Sequence, residues 1–266
     1  MKSSKVIPAT VASLMLLGSP VAAEEPLITD VPEVSIAGSS MTTGWYLRGD
    51  LGYAPWTGNE KPTYHVGGAG DGEFDPARFS QPVSGGVGIG YQFTDIWRAD
   101  LTTDFFKSDF SGTARLDLPC AASAPAGTGC AYGTRADVRA YGIMTNGYAD
   151  LATVAGFTPY VGAGLGITNV RWGSVRSQPE CVDGASTCAA ATFAPQNLNG
   201  ENSWRFTYAL MVGVSYEVAD NIKVDFGYRF SDIAGGSMFT GPYPESGRDH
   251  GMTRHEVRVG LRVAGW

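Results

Sequence analysis

The sequence predicts an all-β protein: an eight-stranded antiparallel transmembrane up-and-down β-barrel with four long extracellular loops and short periplasmic turns. Three observations point there. Apolar and polar residues alternate with period two in eight segments, each with room for the ~9–11 residues that a tilted strand needs to cross a bilayer. The connections between segments are alternately short and long. The two faces differ in kind, one apolar and aromatic, the other charged. Composition agrees: 17% charged residues, 36 glycines and 11% aromatics in 266 residues favour β architecture over a helical bundle.

Residues 1–23 read as a cleaved signal peptide. Lys2 and Lys5 precede the short apolar run Val11–Gly18, and Val21-Ala22-Ala23 supplies small residues for cleavage. That run is well short of the ~18 residues of a spanning helix. Cleavage removes two lysines and no acid, taking the formal charge from −7 to −9. An acidic chain is a poor partner for nucleic acid, which is gripped through its phosphates by Lys and Arg. Residues 24–43 carry Pro, Ser and acids without strand periodicity. They read as a periplasmic N-terminal extension, lying free or tucked into the barrel. The barrel domain then spans 44–266.

The eight segments follow in order. The first, Gly44–Tyr53, sets Trp45, Leu47, Leu51 and Tyr53 against Arg48 and Asp50. The second, Val83–Phe93, alternates Val, Ile and aromatics with glycines. The third starts at Trp97 and opposes Leu101 and Phe105 to Arg98, Asp100 and Asp104. The fourth, about Thr134–Leu151, is less clean: Val138, Ala140, Gly142 and Met144 suit one phase and Tyr141 and Ile143 the other, so a bulge is expected there. The fifth is Thr158–Arg171, the sixth Trp204–Val218, the seventh Ile222–Ser231 and the eighth Arg254–Trp266. Three-residue to six-residue turns follow segments two, four and six. The stretches 54–82, 107–133, 172–203 and 232–253 read as extracellular loops, solvated by default.

The charged face holds Arg48, Asp50, Arg98, Asp100, Asp104, Arg205, Glu217, Lys223, Asp225, Arg229, Glu256, Arg258 and Arg262. A water-soluble barrel would turn such a face outward, and its interior would be apolar. Here the charges are expected inside and the apolar face against lipid. Eight strands leave a bore that side chains fill, so salt bridges are expected to plug it, with a narrow polar passage as the competing reading. Aromatic belts are expected where rings with polar tips meet the interface. Trp45, Phe93, Trp97 and Tyr216 fall near the periplasmic rim, with Ile222 beside them. Tyr53, Phe105, Phe206, Tyr228 and Phe230 fall near the outer rim.

Cys120 and Cys130 bracket one Gly/Ala/Ser-rich spacer, and Cys181 and Cys188 another. Export makes disulfides the expectation. Three connectivities are open, of which the two local pairings are simplest. Zinc is the rival, but no histidine lies beside either pair and neither spacing is that of a zinc knuckle.

GWYLRGDLGY in the first segment, GVGIGYQF in the second, TPYVGAGLG in the fifth and HEVRVGLR in the last resemble the small outer-membrane barrel proteins of alphaproteobacteria, the porin-family or opacity-like surface antigens. The resemblance covers most of the chain from about Gly44. It implies an outer-membrane barrel inserted by the barrel-assembly machinery, a role in surface and envelope integrity, and no catalytic residues. Members of this family end on an aromatic residue in the lipid-facing phase as an assembly signal. Trp266 supplies the aromatic residue, but Val259, Leu261 and Val263 put Gly265 in that phase, which implies a bulge or a weakened signal.

An enzyme would need a nucleophile and a base in register. The sequence has three histidines, His65, His250 and His255, and no GxSxG. The glycines of GVGIG precede no helical pattern and read as small lumen residues rather than a phosphate loop. No cofactor is expected. Outer-membrane lipid and the assembly machinery are the expected partners, and any surface ligand is unspecified. The functional expectation is a structural and surface barrel with a charge-filled lumen. A narrow-pore channel is the alternative, and haem or host-surface binding through loop residues such as His65 or His250 is a third reading.

Overall fold

The computed structural model describes residues 43–58, 61–67, 70–120, 127–183, 193–241 and 245–265. The signal-peptide segment, residues 24–42 of the extension, Cys188, Tyr243 and Trp266 lie outside them. Among the described residues there are eleven strands: β1 (Gly44–Gly58), β2 (Thr63–Val66), β3 (Gly70–Phe79), β4 (Val83–Gln92), β5 (Trp97–Leu116), β6 (Gly129–Asp150), β7 (Phe157–Val182), β8 (Gln196–Gly200), β9 (Asn202–Ala219), β10 (Ile222–Thr240) and β11 (Glu245–Ala264). Eight of them close a ring in the order β1-β4-β5-β6-β7-β9-β10-β11 and back to β1, every pair antiparallel. Closure leaves no edge, the condition for a sheet in lipid. The turns at one end are tight. Thr94 Oγ1 accepts the backbone N–H groups of Ile96 at 3.2 Å and Trp97 at 3.0 Å, a side-chain-closed turn. Only Asp220 and Asn221 separate β9 from β10.

The other end corrects the expectation of four long loops. β5, β6 and β7 run for 20, 22 and 26 residues. At ~3.3 Å per residue and a ~40° tilt, β6 rises roughly 55 Å, about twice the ~25 Å apolar band of an outer-membrane barrel. Pairing of β5 with β6 continues without a shift from Trp97↔Ala149 to Leu116↔Cys130. Much of 107–133, 172–203 and 232–253 is therefore strand. The wall stays closed above the membrane because other strands take over. β2 pairs with β11, β3 with β2 and β5, and β8 with β7 and β10. A second eight-membered ring results, β2-β3-β5-β6-β7-β8-β10-β11. It is stacked on the first and shares β5, β6, β7, β10 and β11 with it.

The two rings have opposite polarity. Along β5 the inward residues begin as Arg98, Asp100, Thr102 and Asp104 and continue as Phe106, Phe110, Ala114 and Leu116, all buried. The outward ones begin as Trp97, Leu101 and Phe105 and continue as Lys107, Asp109, Ser111 and Arg115. The alternation never slips; the chemistry of the two faces exchanges. β6 does the same between Tyr141 and Arg139 and stays in phase from Tyr132 to Asp150. This removes the bulge expected in the fourth segment: Val138, Ala140 and Met144 face inward and Tyr141 and Ile143 outward throughout. The irregularity lies on β7, where Ala136 and Val138 face Val175 and Trp172, leaving Gly173 and Ser174 as the bulge.

The upper ring encloses an apolar core around Tyr64, Phe74, Phe110, Val138, Trp172 and Phe239. Full burial of such side chains stabilises by about 1.5–3 kcal/mol each. Tyr64, Met238 and Phe239, in stretches read as solvated loop, are fully buried here, and Asp249 is buried with them. His65, Asp71, Glu73, Asp75, Arg78, Arg248 and His250 are exposed.

Candidate functional site

The lumen of the lower ring is built from the charged faces of the shared and membrane strands, and its cations and carboxylates are arranged in tiers. At the periplasmic end Arg98 is 3.0 Å from Asp150, with its guanidinium 3.8 Å from the Tyr148 ring and 5.0 Å from that of Tyr160. Beside it Arg262 pairs with Asp225 at 2.7 Å, Ser215 donates to Asp225 at 2.6 Å, and Lys223 lies 3.6 Å from Glu217. In the middle Arg48 reaches Asp50 and Asp100, both at 2.7 Å, and donates to the Tyr148 hydroxyl at 2.9 Å. Asn146 holds the other oxygen of Asp100 at 2.8 Å. Higher up Asp104 is shared by Arg258 at 2.6 Å and Arg229 at 2.8 Å. Glu256 accepts from Ser84 and lies 3.3 Å from Arg258 and 3.6 Å from Arg254. Arg254 stacks 3.8 Å from the Phe106 ring, where the apolar core begins, and Arg205 grips both oxygens of Asp249 at 2.8 Å.

All of these pairs except Lys223–Glu217, whose acid is partly exposed, are buried or nearly so, and a buried charge is tolerable only when matched. Lumen glycines make room for the tyrosines: a Cβ at Gly90 would overlap the Tyr46 ring, and one at Gly162 the Tyr148 ring. In the lower lumen a cavity of about 20 Å³ lies beside Arg48, Tyr148 and Arg258, and another of the same size beside Asp104, Arg229 and Arg254. That is room for about one water apiece, not for a file of them. Asp150 and Arg254 join the expected lumen charges: Asp150 ends its strand at a turn, and Arg254 is the first residue of the last segment. Asp249, expected in a solvated outer loop beside His250, is instead buried in an ion pair.

The lipid-facing side is apolar and exposed, with Leu51, Val87, Leu101, Leu165, Val212 and Val259 along its height. At the periplasmic rim Trp45 packs edge-on against Tyr91 at 5.2 Å, Phe93 is 5.1 Å from Tyr91, and Phe157 is 4.6 Å from Tyr216, with Trp97 exposed nearby. At the outer rim Phe105 is 5.1 Å from Tyr141 and Phe230 is 6.1 Å from Tyr208. Tyr53 donates to Gln81 at 2.6 Å, and the Tyr228 hydroxyl meets His255 Nδ1 at 2.6 Å. Phe206 and Trp204 are exposed at the same rim. Tyr91, Tyr141, Phe157 and Trp204 extend the expected belts.

Cys120 and Cys130 form a disulfide, and Cys181 is also disulfide-bonded. His65 pairs with Asp71 at 2.7 Å on the exposed side of β2. In the upper ring, burial raises the carboxyls of Glu245 and Asp249 above their ordinary values, against the opposing pull of Arg205 on Asp249. Burial likewise pushes the Tyr64 and Tyr132 hydroxyls up.

A family model agrees with this architecture. Residues 9–263 match the model of the outer membrane protein beta-barrel domain family. An uncharacterised protein of Brucella suis is 32% identical over 272 residues, covering 90% of this chain and 89% of its own. A candidate adhesin of Rickettsia typhi is 28% identical over 234 residues, covering 84% and 88%. Among solved structures, OprG of Pseudomonas aeruginosa aligns with a TM-score of 0.49 at 12% identity, covering 85% of this chain and 99% of its own. Neisserial surface protein A aligns with a TM-score of 0.41 at 17% identity, covering 84% and 97%. The chain belongs to the outer membrane protein β-barrel family and resides in the outer membrane of a Gram-negative bacterium.

Proposed function

We propose that this protein is a closed, non-catalytic surface barrel that anchors a rigid, strand-built platform above the outer membrane and serves envelope integrity and surface interactions. The observation that carries this reading is the double filling of the bore. Matched charges occupy the membrane level, and an apolar core occupies the level above. Water and ions entering from outside would have to pass this aromatic core before reaching the charge network of the membrane level. On this reading the chain is exported by its 1–23 leader, inserted by the barrel-assembly machinery, and surrounded by outer-membrane lipid. Its outer strands present recognition surfaces, a role in keeping with a candidate adhesin among its relatives. Planar-bilayer recording of the refolded full chain tests this. The expected result is no stepwise conductance while the unboiled protein keeps its heat-shifted gel band. Steady unitary steps from that same folded preparation would overturn the closed barrel in favour of a narrow pore.

A further inference from the structure

Cations outside the barrel are arranged unlike those inside it. Lys107 of β5, Arg139 of β6 and Arg171 of β7 are register partners on adjacent strands. All three point outward and are exposed. Among the described residues none of them has an ion pair; Lys107 only overlies the Phe105 ring at 5.8 Å. Like charges directly opposite on neighbouring strands repel, so a bare row of three is unfavourable unless an anion sits on it.

The position of this row identifies the anion. The preceding outward row is Phe105, Tyr141, Asn169 and Trp204, the outer aromatic rim. Two residues further, ~6.6 Å along each strand, come the three cations. They are the first charged outward side chains above lipid, at headgroup height. Two residues beyond the rim positions Tyr53, Val83, Trp204, Phe230 and His255 stand Pro55, Gln81, Asn202, Asp232 and Thr253, so the cations are confined to one wall. Higher on that wall Arg135 and Arg176 face each other, and Arg78 is joined to Arg135 through Ser111. These line an open groove of about 500 Å³. Asp109 and Asp137 lie between the two tiers, opposite one another.

We propose that this wall of β5, β6 and β7 binds the phosphate groups of an outer-leaflet glycolipid. Its acyl chains would lie on the Leu101–Phe105–Tyr141 surface, and its phosphates against Lys107, Arg139 and Arg171. The upper tier contacts the more distal headgroup. The site is independent of whether the lumen conducts.

The test is retention of diphosphoryl lipid A by the detergent-refolded full chain, read by native mass spectrometry against dephosphorylated lipid A. The triple variant K107Q/R139Q/R171Q is expected to bind about fivefold more weakly per cation removed, on the order of a hundredfold in all. R248Q, an exposed cation on β11, should bind as the parent does. If the triple variant lacks the heat-shifted band, R139Q alone carries the comparison. Equal retention by parent and variant, or no preference for the phosphorylated lipid, overturns the proposal. Displacement of the lipid by inorganic phosphate at equal concentration also overturns it, because the site would then belong to free phosphate.

Discussion

The lower and upper rings share five strands, yet they are stabilised by opposite arrangements. In the membrane, Arg98, Asp100 and Asp104 of β5 face in and Leu101 faces out; above it, Phe106 and Phe110 face in and Asp109 faces out. The solvent decides this. Lipid rewards an apolar exterior and leaves the interior to matched charge. Water rewards a polar exterior and drives apolar side chains inward. A β-strand can serve both because its pleat keeps two faces separate while their chemistry changes along the chain.

Substitutions in each ring test the contrast. Asp104→Leu should have the largest effect, since it leaves Arg229 and Arg258 buried beside each other without their shared acid. The cost should be about 3–5 kcal/mol, read as a lower denaturant midpoint for the heat-shifted band. Trp172→Ala should cost a comparable ~3–5 kcal/mol through the cavity it leaves, but in the upper ring. Limited proteolysis should then cut the extracellular strands while the band shift persists. Loss of the band shift would mean that the two rings unfold as one.

A smaller effect compares one face of one strand at two heights. Leu101→Lys places a charge against mid-membrane lipid and should cost about 2–4 kcal/mol. Thr113→Lys, on the same outward face above the membrane, should leave the midpoint unchanged. Equal costs would refute the placement of the boundary near Phe105. The smallest effect is electrostatic. Burial holds the Glu245 carboxyl above its ordinary value, so the folded upper ring binds that proton more tightly than the unfolded chain does. Its stability is greatest below the ordinary carboxylate range and falls as pH rises through the raised value. Glu245→Gln should remove its part of that fall, leaving the slope from Asp249, whose carboxyl is shifted the same way. Protease resistance of the upper strands between about pH 4 and pH 7 reads it.

The membrane ring was legible because its signal is redundant: each strand alternates, and the charges share one phase. Arg48, Asp100, Arg258 and Arg262 could be placed in the lumen from phase alone. The upper ring was not legible, because there the apolar residues change phase. Phe106 and Phe110 continue the spacing of Asp104, not of Phe105, and so look like a broken pattern. The same exchange made Tyr141 and Val138 resemble a slip in the fourth segment. β2 and β3 are short and carry Gly70, Gly72 and Pro76, residues that read as loop. Their pairing with β11 and β5 depends on contacts more than thirty residues away in sequence, beyond the reach of local periodicity.

The exchange of faces between Phe105 and Lys107 also acts as a depth gauge. Sliding β5 by one residue against its neighbours would turn every side chain to the wrong face. Sliding it by two would keep the faces but carry Lys107 down into hydrocarbon or lift Phe105 into water. Alternation alone fixes which way a strand faces, whereas the switch fixes how high it stands. With matching switches on β5 and β6, the barrel has one vertical setting in the bilayer, and its outer ring is held at a constant height above the cell surface.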